Sequence, residues 1–436
     1  MMPASPHSPS VPRQSLVEVV VASTIGTTIE WYDFFVYGIL ATLAFPALFF
    51  PQSDPFTGQI LSLSTYAVGF VARPVGGFLF GAMGDRLGRK AALVTTLLLM
   101  GISTLLIGFL PVYNDIGAAA ALILVALRFL QGLGVGGEWG GAVLMAVEHG
   151  HSGRRGFYAS WPQAGVPLGL ILATCVVELC YVWFGTDGFL AWGWRVPFFL
   201  SGLLIVVGFV IRLRVLETPL FAALQEQQLL SQTPVRETLR THWRQVVLAA
   251  GVRLAENASF YLFTVWVPGY GQQALEVAPE VMLTAVTVAG AAELLTMPLF
   301  GHLSDRWSRR KTCMLGCVFL ILFAWPFFQL LETRSYLAIF AAVILALAVG
   351  HSLLYSVQGS LIPELFSTRV RCTGASLGYQ LSAPLGGGLA PLIAAGLFKA
   401  FDGAVWPLAV YIITIAGISL VCTQRLPETA GKPLTA

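Results

Sequence analysis

Long runs of apolar residues, separated by short polar stretches, occupy most of this 436-residue chain. A helix needs about 20 apolar residues to cross the hydrocarbon core of a bilayer. Twelve runs reach that length. Those in the first half are residues 19–45, 60–80, 91–111, 116–146, 160–184 and 194–213. Those in the second half are residues 246–270, 281–300, 312–331, 336–359, 372–398 and 404–422. The pattern predicts an all-α membrane protein with 12 transmembrane helices.

A short charged motif occurs twice, and it relates the two halves of the chain. The sequence GAMGDRLGRK at residues 81–90 returns as GHLSDRWSRRK at residues 301–311. Three charged residues of the first copy recur at the same distance along the chain, which we call the offset (305 − 85 = 306 − 86 = 309 − 89). They are Asp85 with Asp305, Arg86 with Arg306, and Arg89 with Arg309. This offset is about half the chain. Each copy joins two apolar runs, so the repeat predicts two pseudo-symmetric halves of six helices.

The polar segments between the runs predict the domain boundaries and the orientation. We expect a disordered tail at residues 1–16, a six-helix bundle at 17–213, a linker at 214–244, a second bundle at 245–424 and a tail at 425–436. Most arginines and lysines outside the helices fall in loops on one side, whereas Arg195, Arg334 and Lys399 fall on the other. The positive-inside rule then places both termini, the linker and the tails in the cytoplasm.

Composition narrows the class of protein further. The chain is 56% hydrophobic and 11% charged, where a soluble domain carries about 25% charged residues. Its solvent is therefore the lipid bilayer of the cell (inner) membrane, which it crosses many times. The net charge of +3 is scattered through loops, so we expect no nucleic-acid partner. The six cysteines lie mostly in apolar runs and predict neither a disulfide framework nor a metal site.

Two motifs of soluble enzymes occur in settings that do not suit them. Residues 132–137 satisfy GxGxxG, but they lie inside an apolar run with no preceding strand. Glycines 132, 136 and 140 recur at every fourth position, which instead predicts close packing against another helix. Residues 374–378 spell a nucleophile elbow without its strand–turn–helix context. We therefore expect neither an enzyme nor a cofactor.

Several ionisable residues fall inside the predicted helices. An ionised side chain at mid-bilayer costs about 2.5–3.5 kcal/mol even on mild scales, and it marks a candidate functional site. These residues are Glu30, Asp33, Arg73, Arg128, Glu138, Glu178, Arg253, Glu256 and Glu293. Such a set predicts a polar cavity, and hence a transport pathway.

Roles follow from the chemistry and the spacing of these groups. Arg128 is the expected receptor for a carboxylate, with a helix–helix strut as its alternative. Asp33 is the expected proton carrier, and Glu30 shares its helix face three positions earlier. Arg73 and Glu293 are related by the same offset as the repeated motif (293 − 73 = 305 − 85), so we expect them to face each other across the cavity.

The second half offers two further candidates. Arg253 and Glu256 stand three positions apart, so they either line the pathway or form an ion pair within one helix. His351 is either a pathway residue or a buried histidine with a purely structural role.

The motifs resemble those of a known family. The repeated DRxGRK loops look like the signature of the major facilitator superfamily. Four segments resemble its metabolite:H⁺ symporter family, namely GTTIEWYDFFVYG (26–38), RPVGGFLFGAMGDRLGRK (73–90), RFLQGLGVGGEWGGA (128–142) and WGWRVPF (192–198). Within that family, Arg253-Leu-Ala-Glu256, His351 and GYQLSAPLGGGLAP (378–391) are most similar to shikimate permease-like members.

The resemblance implies that two six-helix halves rock about a site near mid-membrane. It implies proton coupling by Asp33 and Glu30. The substrate-binding candidates are Arg128, Tyr32, Gln131, Arg73, Arg253, Glu256, His351 and Gln380. The gating candidates are Gly81, Asp85, Arg86, Gly88, Arg89, Asp305, Arg306 and Arg309. Asp85 would cap the eleventh helix near Thr373, and Asp305 the fifth near Gly156. The second loop has Ser308 in place of glycine, which predicts a looser gate.

The expected function is proton-coupled uptake of a small organic acid, with a shikimate-like hydroxylated monocarboxylate preferred. The alternatives in the same fold are a symporter of a dicarboxylate or α-ketoacid, a symporter of proline or betaine, and a drug/proton antiporter. A betaine would need an aromatic or acidic cage, for which Trp31, Tyr32, Trp139 and Glu256 are candidates. Besides substrate, protons and lipid we expect no partner, and we expect a monomer.

Overall fold

The computed structural model describes residues 15–151 and 153–434, and in these residues it contains twelve long helices and no strand. The helices of the first half are α1 Leu16–Leu43, α2 Pro55–Arg86, α3 Arg89–Phe109, α4 Ala119–His149, α5 Arg155–Ala191 and α6 Val196–Arg214. Those of the second half are α7 Trp243–Gln273, α8 Pro279–Arg306, α9 Arg309–Glu332, α10 Tyr336–Leu365, α11 Arg371–Ala400 and α12 Trp406–Arg425. The predicted all-α fold of twelve helices is confirmed.

Eleven of these helices are long and apolar enough to cross a membrane. Helix α1, which carries Glu18, Glu30 and Asp33, is not among them. Of the predicted N-terminal tail, residues 1–14 lie outside the described residues, and α1 begins at Leu16. The predicted linker is partly helical, because it contains the short helices Pro219–Glu226 and Pro234–Thr241.

Glycines allow α4 to pack directly on the backbone of α2. A Cβ atom at Gly132 would collide with the carbonyl oxygen of Gly69, and one at Gly136 with that of Arg73. The reverse contact places Gly76 of α2 on the carbonyl oxygen of Leu133. The predicted close packing at these glycines is present, and it makes the first half a tightly joined platform.

Three helices of the second half contain a π-helical turn. These turns are Leu262–Trp266 in α7, Leu345–His351 in α10 and Pro384–Gly388 in α11. In the described part of the first half no helix has such a turn. A π turn inserts one residue into the helical repeat, and it is frequent at functional sites. Here it redirects the side chains within and after the turn, His351 among them.

The two halves meet where α2 crosses α11 and where α5 crosses α8. A Cβ at Gly81 would lie 2.9 Å from Cα of Thr373, and one at Gly301 would lie 2.6 Å from the carbonyl oxygen of Gly156. Both crossings lie beside the two copies of the repeated charged motif. We call this end of the molecule the latch end.

Candidate transport site

A cavity of about 210 Å³ lies between the halves. It is lined by Trp31, Val166, Arg253, Glu256, Asn257, Phe260, Tyr261, His351, Tyr355 and Tyr379. Only Trp31 and Val166 come from the first half. The five residues from α7 form one helical stripe at spacings of three and four, so α7 presents a single polar and aromatic face to the cavity.

A histidine between two carboxylates is the chemical centre of this cavity. His351 Nδ1 lies 2.6 Å from Glu293 Oε1, and its Nε2 lies 3.2 Å from Glu256 Oε1. Arg253 Nε lies 3.4 Å from the other Glu256 oxygen. All four side chains are buried. The cluster is able to hold and pass a proton, because each ring nitrogen of the histidine faces its own carboxylate.

Arg253 also forms the floor of the cavity with two aromatic rings. Its guanidinium carbon lies 3.3 Å from the ring centroid of Tyr379. The other partner of Tyr379 is Trp139 of the first half, whose ring is stacked on it at 3.6 Å and 9°. Trp139 Nε1 donates to Gln163 Oε1 over 2.8 Å, and Gln163 Nε2 donates to the Tyr355 carbonyl over 2.9 Å. This layer separates the cavity from the latch end.

Aromatic pairs between the halves cover the opposite side of the cavity. The rings of Phe35 and Phe260 have centroids 6.4 Å apart, and those of Phe70 and Tyr261 are 5.0 Å apart. The charged cluster is therefore enclosed by aromatic layers on both sides.

At the latch end, two aspartates cap helices of the opposite half. Asp85 accepts hydrogen bonds from the backbone N–H groups of Cys372 (3.0 Å) and Thr373 (2.8 Å), at the start of α11. Asp305 accepts from those of Gly156 and Phe157 at the start of α5, both over 2.8 Å. The expected contacts are present in both copies, where free N–H groups and the helix dipole favour an anion.

The sequence and the fold of this chain match those of known transporters. The family model for the Major Facilitator Superfamily matches residues 24–379 and 274–434. The chain belongs to the Major Facilitator Superfamily. It is 40% identical to the inner membrane metabolite transport protein YhjE of Escherichia coli (strain K12), over 97% of each chain. It is 38% identical to the shikimate transporter of the same organism, over 94% of each chain.

A solved structure extends the comparison to the fold. The proton:xylose symporter XylE bound to 6-bromo-6-deoxy-D-glucose superposes with a TM-score of 0.75 at 17% identity, covering 96% of this chain and 97% of that one. Family and relatives together make this chain a multi-pass inner-membrane transporter of the Major Facilitator Superfamily, and not an enzyme.

Several predicted substrate-binding residues of the first half do not line the cavity. Arg128 is buried with its guanidinium carbon 4.2 Å from the Tyr37 ring centroid, and it donates to Gln131 over 3.1 Å. Gln131 in turn donates to Thr104, and the Tyr32 hydroxyl donates to the Pro197 carbonyl over 2.8 Å. Arg128 thus packs against a ring of α1, and two of its nitrogens, Nε and Nη2, have no hydrogen-bond partner among the described residues. The substrate-binding role of Arg128, Tyr32 and Gln131 remains a prediction, as does the strut.

Arg73 and Gln380 lie at the boundary between the halves. The Arg73 guanidinium carbon is 4.4 Å from the ring centroids of Phe34 and Phe70, and its Nε and Nη2 have no hydrogen-bond partner among the described residues. Among the described residues no ion pair joins Arg73 to Glu293, which is hydrogen-bonded to His351. That Arg73 and Glu293 face each other across the cavity remains a prediction. Gln380 donates to the Val135 carbonyl of α4 over 3.2 Å.

The predicted proton carriers of α1 are bound to different residues of α6. Asp33 accepts a 2.5 Å hydrogen bond from Ser201 of α6. Glu30 accepts from Arg212 of α6 over 2.9 Å, and the same Arg212 nitrogen lies 3.2 Å from Glu138. Neither Glu30 nor Asp33 lines the cavity. Their role in coupling remains a prediction.

The gating candidates divide into buried and exposed members. Arg89 pairs with Asp85 over 3.1 Å, and Arg309 pairs with Asp305 over 2.7 Å. Gly88 adopts φ +112°, a conformation that favours glycine. By contrast Arg86 and Arg306 point outward and are exposed. The gating role of all these residues remains a prediction.

Ser308 does not behave as its replacement of glycine suggests. Its φ of 171° is ordinary extended backbone, so no glycine is needed there. Its hydroxyl accepts from the Lys311 N–H over 3.1 Å and also bonds Glu428. The serine caps α9 and fastens the tail to it, so a looser turn does not follow from this substitution.

Sequence reasoning missed the carboxylates that support the latches. Glu148 bonds Arg371 over 3.1 Å and the Thr218 hydroxyl over 2.5 Å. In the second half Glu364 accepts from the Thr429 hydroxyl over 2.5 Å. The sequence carries a signal only for their partners, because the dipeptide Glu-Thr that contains Thr218 and Thr429 follows the last helix of each half, at residues 217–218 and 428–429.

Proposed function

We propose that this transporter takes up a small organic acid together with protons, and that a shikimate-like hydroxylated monocarboxylate is preferred. One observation carries the proposal: the cavity between the halves holds the Arg253 guanidinium beside a histidine that lies between two carboxylates. The relative named as a shikimate transporter supports the same substrate class.

The chemistry of the cavity suits a hydroxylated acid. A guanidinium stays charged at any physiological pH and binds a carboxylate through two parallel hydrogen bonds. Asn257 and the hydroxyl groups of Tyr261 and Tyr355 add polar groups for substrate hydroxyls. The aromatic rings of Tyr355 and Tyr379 lie beside these polar groups and can pack against the ring of a small acid.

Competition for Arg253 supplies the coupling. Glu256 lies beside Arg253, so a substrate carboxylate and the Glu256 carboxylate compete for one guanidinium. Two anions close together disfavour each other's charged form. A proton taken up by the Glu256–His351–Glu293 cluster removes one negative charge and leaves Arg253 free for the substrate. Proton and acid then bind together, and movement of the halves carries both across the membrane.

A zwitterion such as betaine is the second candidate. Trp31, Tyr261 and Tyr355 line the cavity together with Glu256, and aromatic faces with a carboxylate suit a quaternary ammonium group. Arg253 would still bind its carboxylate. Both candidate substrates have a carboxylate for Arg253. They differ in their other polar group, which is a set of hydroxyls in the shikimate-like acid and a quaternary ammonium in betaine.

The test is uptake of labelled shikimate into proteoliposomes, with and without an inward proton gradient. The variants are Glu256→Gln, His351→Asn and Asp33→Asn, with Asp115→Asn as the control from a loop far from the cavity. A coupling variant should lose gradient-driven accumulation by more than tenfold and retain exchange of labelled for unlabelled substrate. Loss in Asp33→Asn alone would assign coupling to α1 and reject the cavity cluster.

Two further outcomes decide the substrate class. Uptake by the wild-type protein that ignores the gradient would reject symport. Absence of shikimate uptake, together with gradient-driven uptake of labelled betaine by the same proteoliposomes, would reject the organic acid in favour of the zwitterion.

A further inference from the structure

A groove at the latch end is lined by apolar and basic side chains. It runs between α2 and the linker helix Pro234–Thr241 and is open to the surroundings along one side. Its walls include Phe78 and Ala82 from α2 and Leu239 from the linker helix. Arg86, Arg236 and Arg240 stand around it. We propose that this groove binds the headgroup of an anionic phospholipid, with an acyl chain along its apolar wall.

The apolar wall continues the lipid-facing surface of α2. Val71, Val75 and Phe78 are 61%, 45% and 44% exposed, and their spacings of four and three place them on one face of the helix. In a membrane-spanning helix this face contacts acyl chains. Leu239, which is 50% exposed, provides the facing wall. An acyl chain that lies on α2 therefore leads directly into the groove.

The basic side chains carry charges that the protein does not neutralise. Arg86, Arg236 and Arg240 have no hydrogen-bond or ion-pair partner in residues 15–151 and 153–434. Glu237 is the acidic residue of the linker helix, but it does not neutralise these arginines. It accepts a hydrogen bond from Ser231 over 2.6 Å and lies 3.8 Å from Arg369. Arg236 and Arg240 stand four positions apart and so share one helix face.

Position decides between a lipid and a soluble anion. Helix α2 ends at Arg86, so the arginines stand where the hydrocarbon core gives way to the headgroups. Basic pockets beside membrane helices bind anionic headgroups. A soluble anion such as phosphate has no apolar group that could pack against the apolar wall. A bound lipid would also join the linker helix to α2, next to Asp85. The proposal does not depend on the identity of the transported substrate.

The test measures binding of phosphatidylglycerol to the full-length protein in detergent, by native mass spectrometry. The variant is Arg236→Gln/Arg240→Gln, and the control is Arg425→Gln/Lys432→Gln, which removes two exposed charges from the same end. We expect the groove variant to bind phosphatidylglycerol about 30-fold more weakly, the effect of two basic side chains at an anionic surface. The control should bind like the wild type, and phosphatidylcholine should bind weakly to all three.

The outcomes separate the lipid from other ligands. Equal weakening in groove variant and control would mean attraction by net charge alone, and it would overturn the site. Competition by inorganic phosphate as effective as that by phosphatidylglycerol would replace the lipid with a generic anion. Both variants should unfold at the same temperature as the wild type, which checks that they are folded. Arg240→Lys keeps the charge and should therefore bind phosphatidylglycerol more strongly than Arg240→Gln does, close to the wild-type level.

Discussion

Asp85→Asn tests the latch between α2 and α11. The carboxylate accepts two backbone N–H groups and pairs with Arg89. An asparagine keeps one acceptor oxygen and turns an amide NH₂ toward the second N–H. Hydrogen bonds to a charged group contribute about 1.5–3 kcal/mol each, and a charge at a helix N-terminus adds about 0.3–1 kcal/mol.

Because the asparagine keeps one of the two hydrogen bonds, the expected cost to the closed latch lies in the lower part of the summed range, at about 2–3 kcal/mol. A larger loss, of the kind seen when a buried charge is left alone, does not follow here. Arg89 keeps Glu148 at 3.5 Å and donates to the Gly84 and Thr368 carbonyls. At about 1.4 kcal/mol per tenfold, the open fraction rises by roughly 30- to 150-fold.

A native cysteine reports the opening. Cys372 is fully buried beside Asp85, so a maleimide reaches it only when α11 separates from α2. The rate is measured in a Cys175→Ser background, because Cys175 is an exposed thiol. In that background, Asp85→Asn should raise the alkylation rate of Cys372 by the same factor, roughly 30- to 150-fold. Transport should fall, while substrate binding is retained. Asp115→Asn, from the short helix Tyr113–Ile116 at the other end, is the control. Unchanged alkylation together with normal transport would refute the latch.

Two further predictions concern stability. Gly136→Ala should lower the unfolding temperature measured by tryptophan fluorescence, because the added Cβ would press on the backbone carbonyl of Arg73, which cannot rotate away. Such overpacking costs about 1–3 kcal/mol. Gly417→Ala is the control and should leave the unfolding temperature unchanged, because a Cβ there would have no atom within 4 Å. Burial alone would raise the pKa of Glu428, but hydrogen bonds from Ser308 and three backbone N–H groups leave this pKa below its usual range. Its stabilisation is thus present above about pH 4.3, its unfolded pKa, and is lost as the pH falls through the lower folded value. The difference in unfolding temperature between wild type and Glu428→Gln should be largest near pH 7 and vanish on acidification; a difference that grows toward acid would reverse the sign.

The family resemblance predicted the latch contacts well, and the constant offset between the two motif copies explains why they occur once in each half. Asp85 and Asp305 each accept from the helix N-terminus that the resemblance implied. Knowing only that a residue lies in a membrane helix predicted less well whether its side chain lines the cavity. Arg128 and Tyr32 stand on helices that border it, yet their side chains turn into the first half. A run of apolar residues does not show which face of a buried helix meets the pathway.

Long-range partners were beyond sequence reasoning for a different reason. Glu30 and Asp33 share a face of α1, but their partners Arg212 and Ser201 lie on α6, at the far end of the first half of the chain. Nothing in a local pattern links them. His351 was recognisable as a candidate, but its position between Glu256 and Glu293 depends on the π turn in which it lies.

The π turns of α7, α10 and α11 have a consequence for how such a protein diverges. Each contains one residue more than the regular repeat requires, so deleting a single residue would restore a regular helix. Everything beyond that point would then rotate by about 100° around the helix axis. In α10 the deletion would swing Tyr355 off the cavity wall without changing any side chain in it. Single-residue insertions and deletions in the second half are therefore a short evolutionary route to a new specificity, and the glycine-packed first half provides the fixed frame against which they are selected.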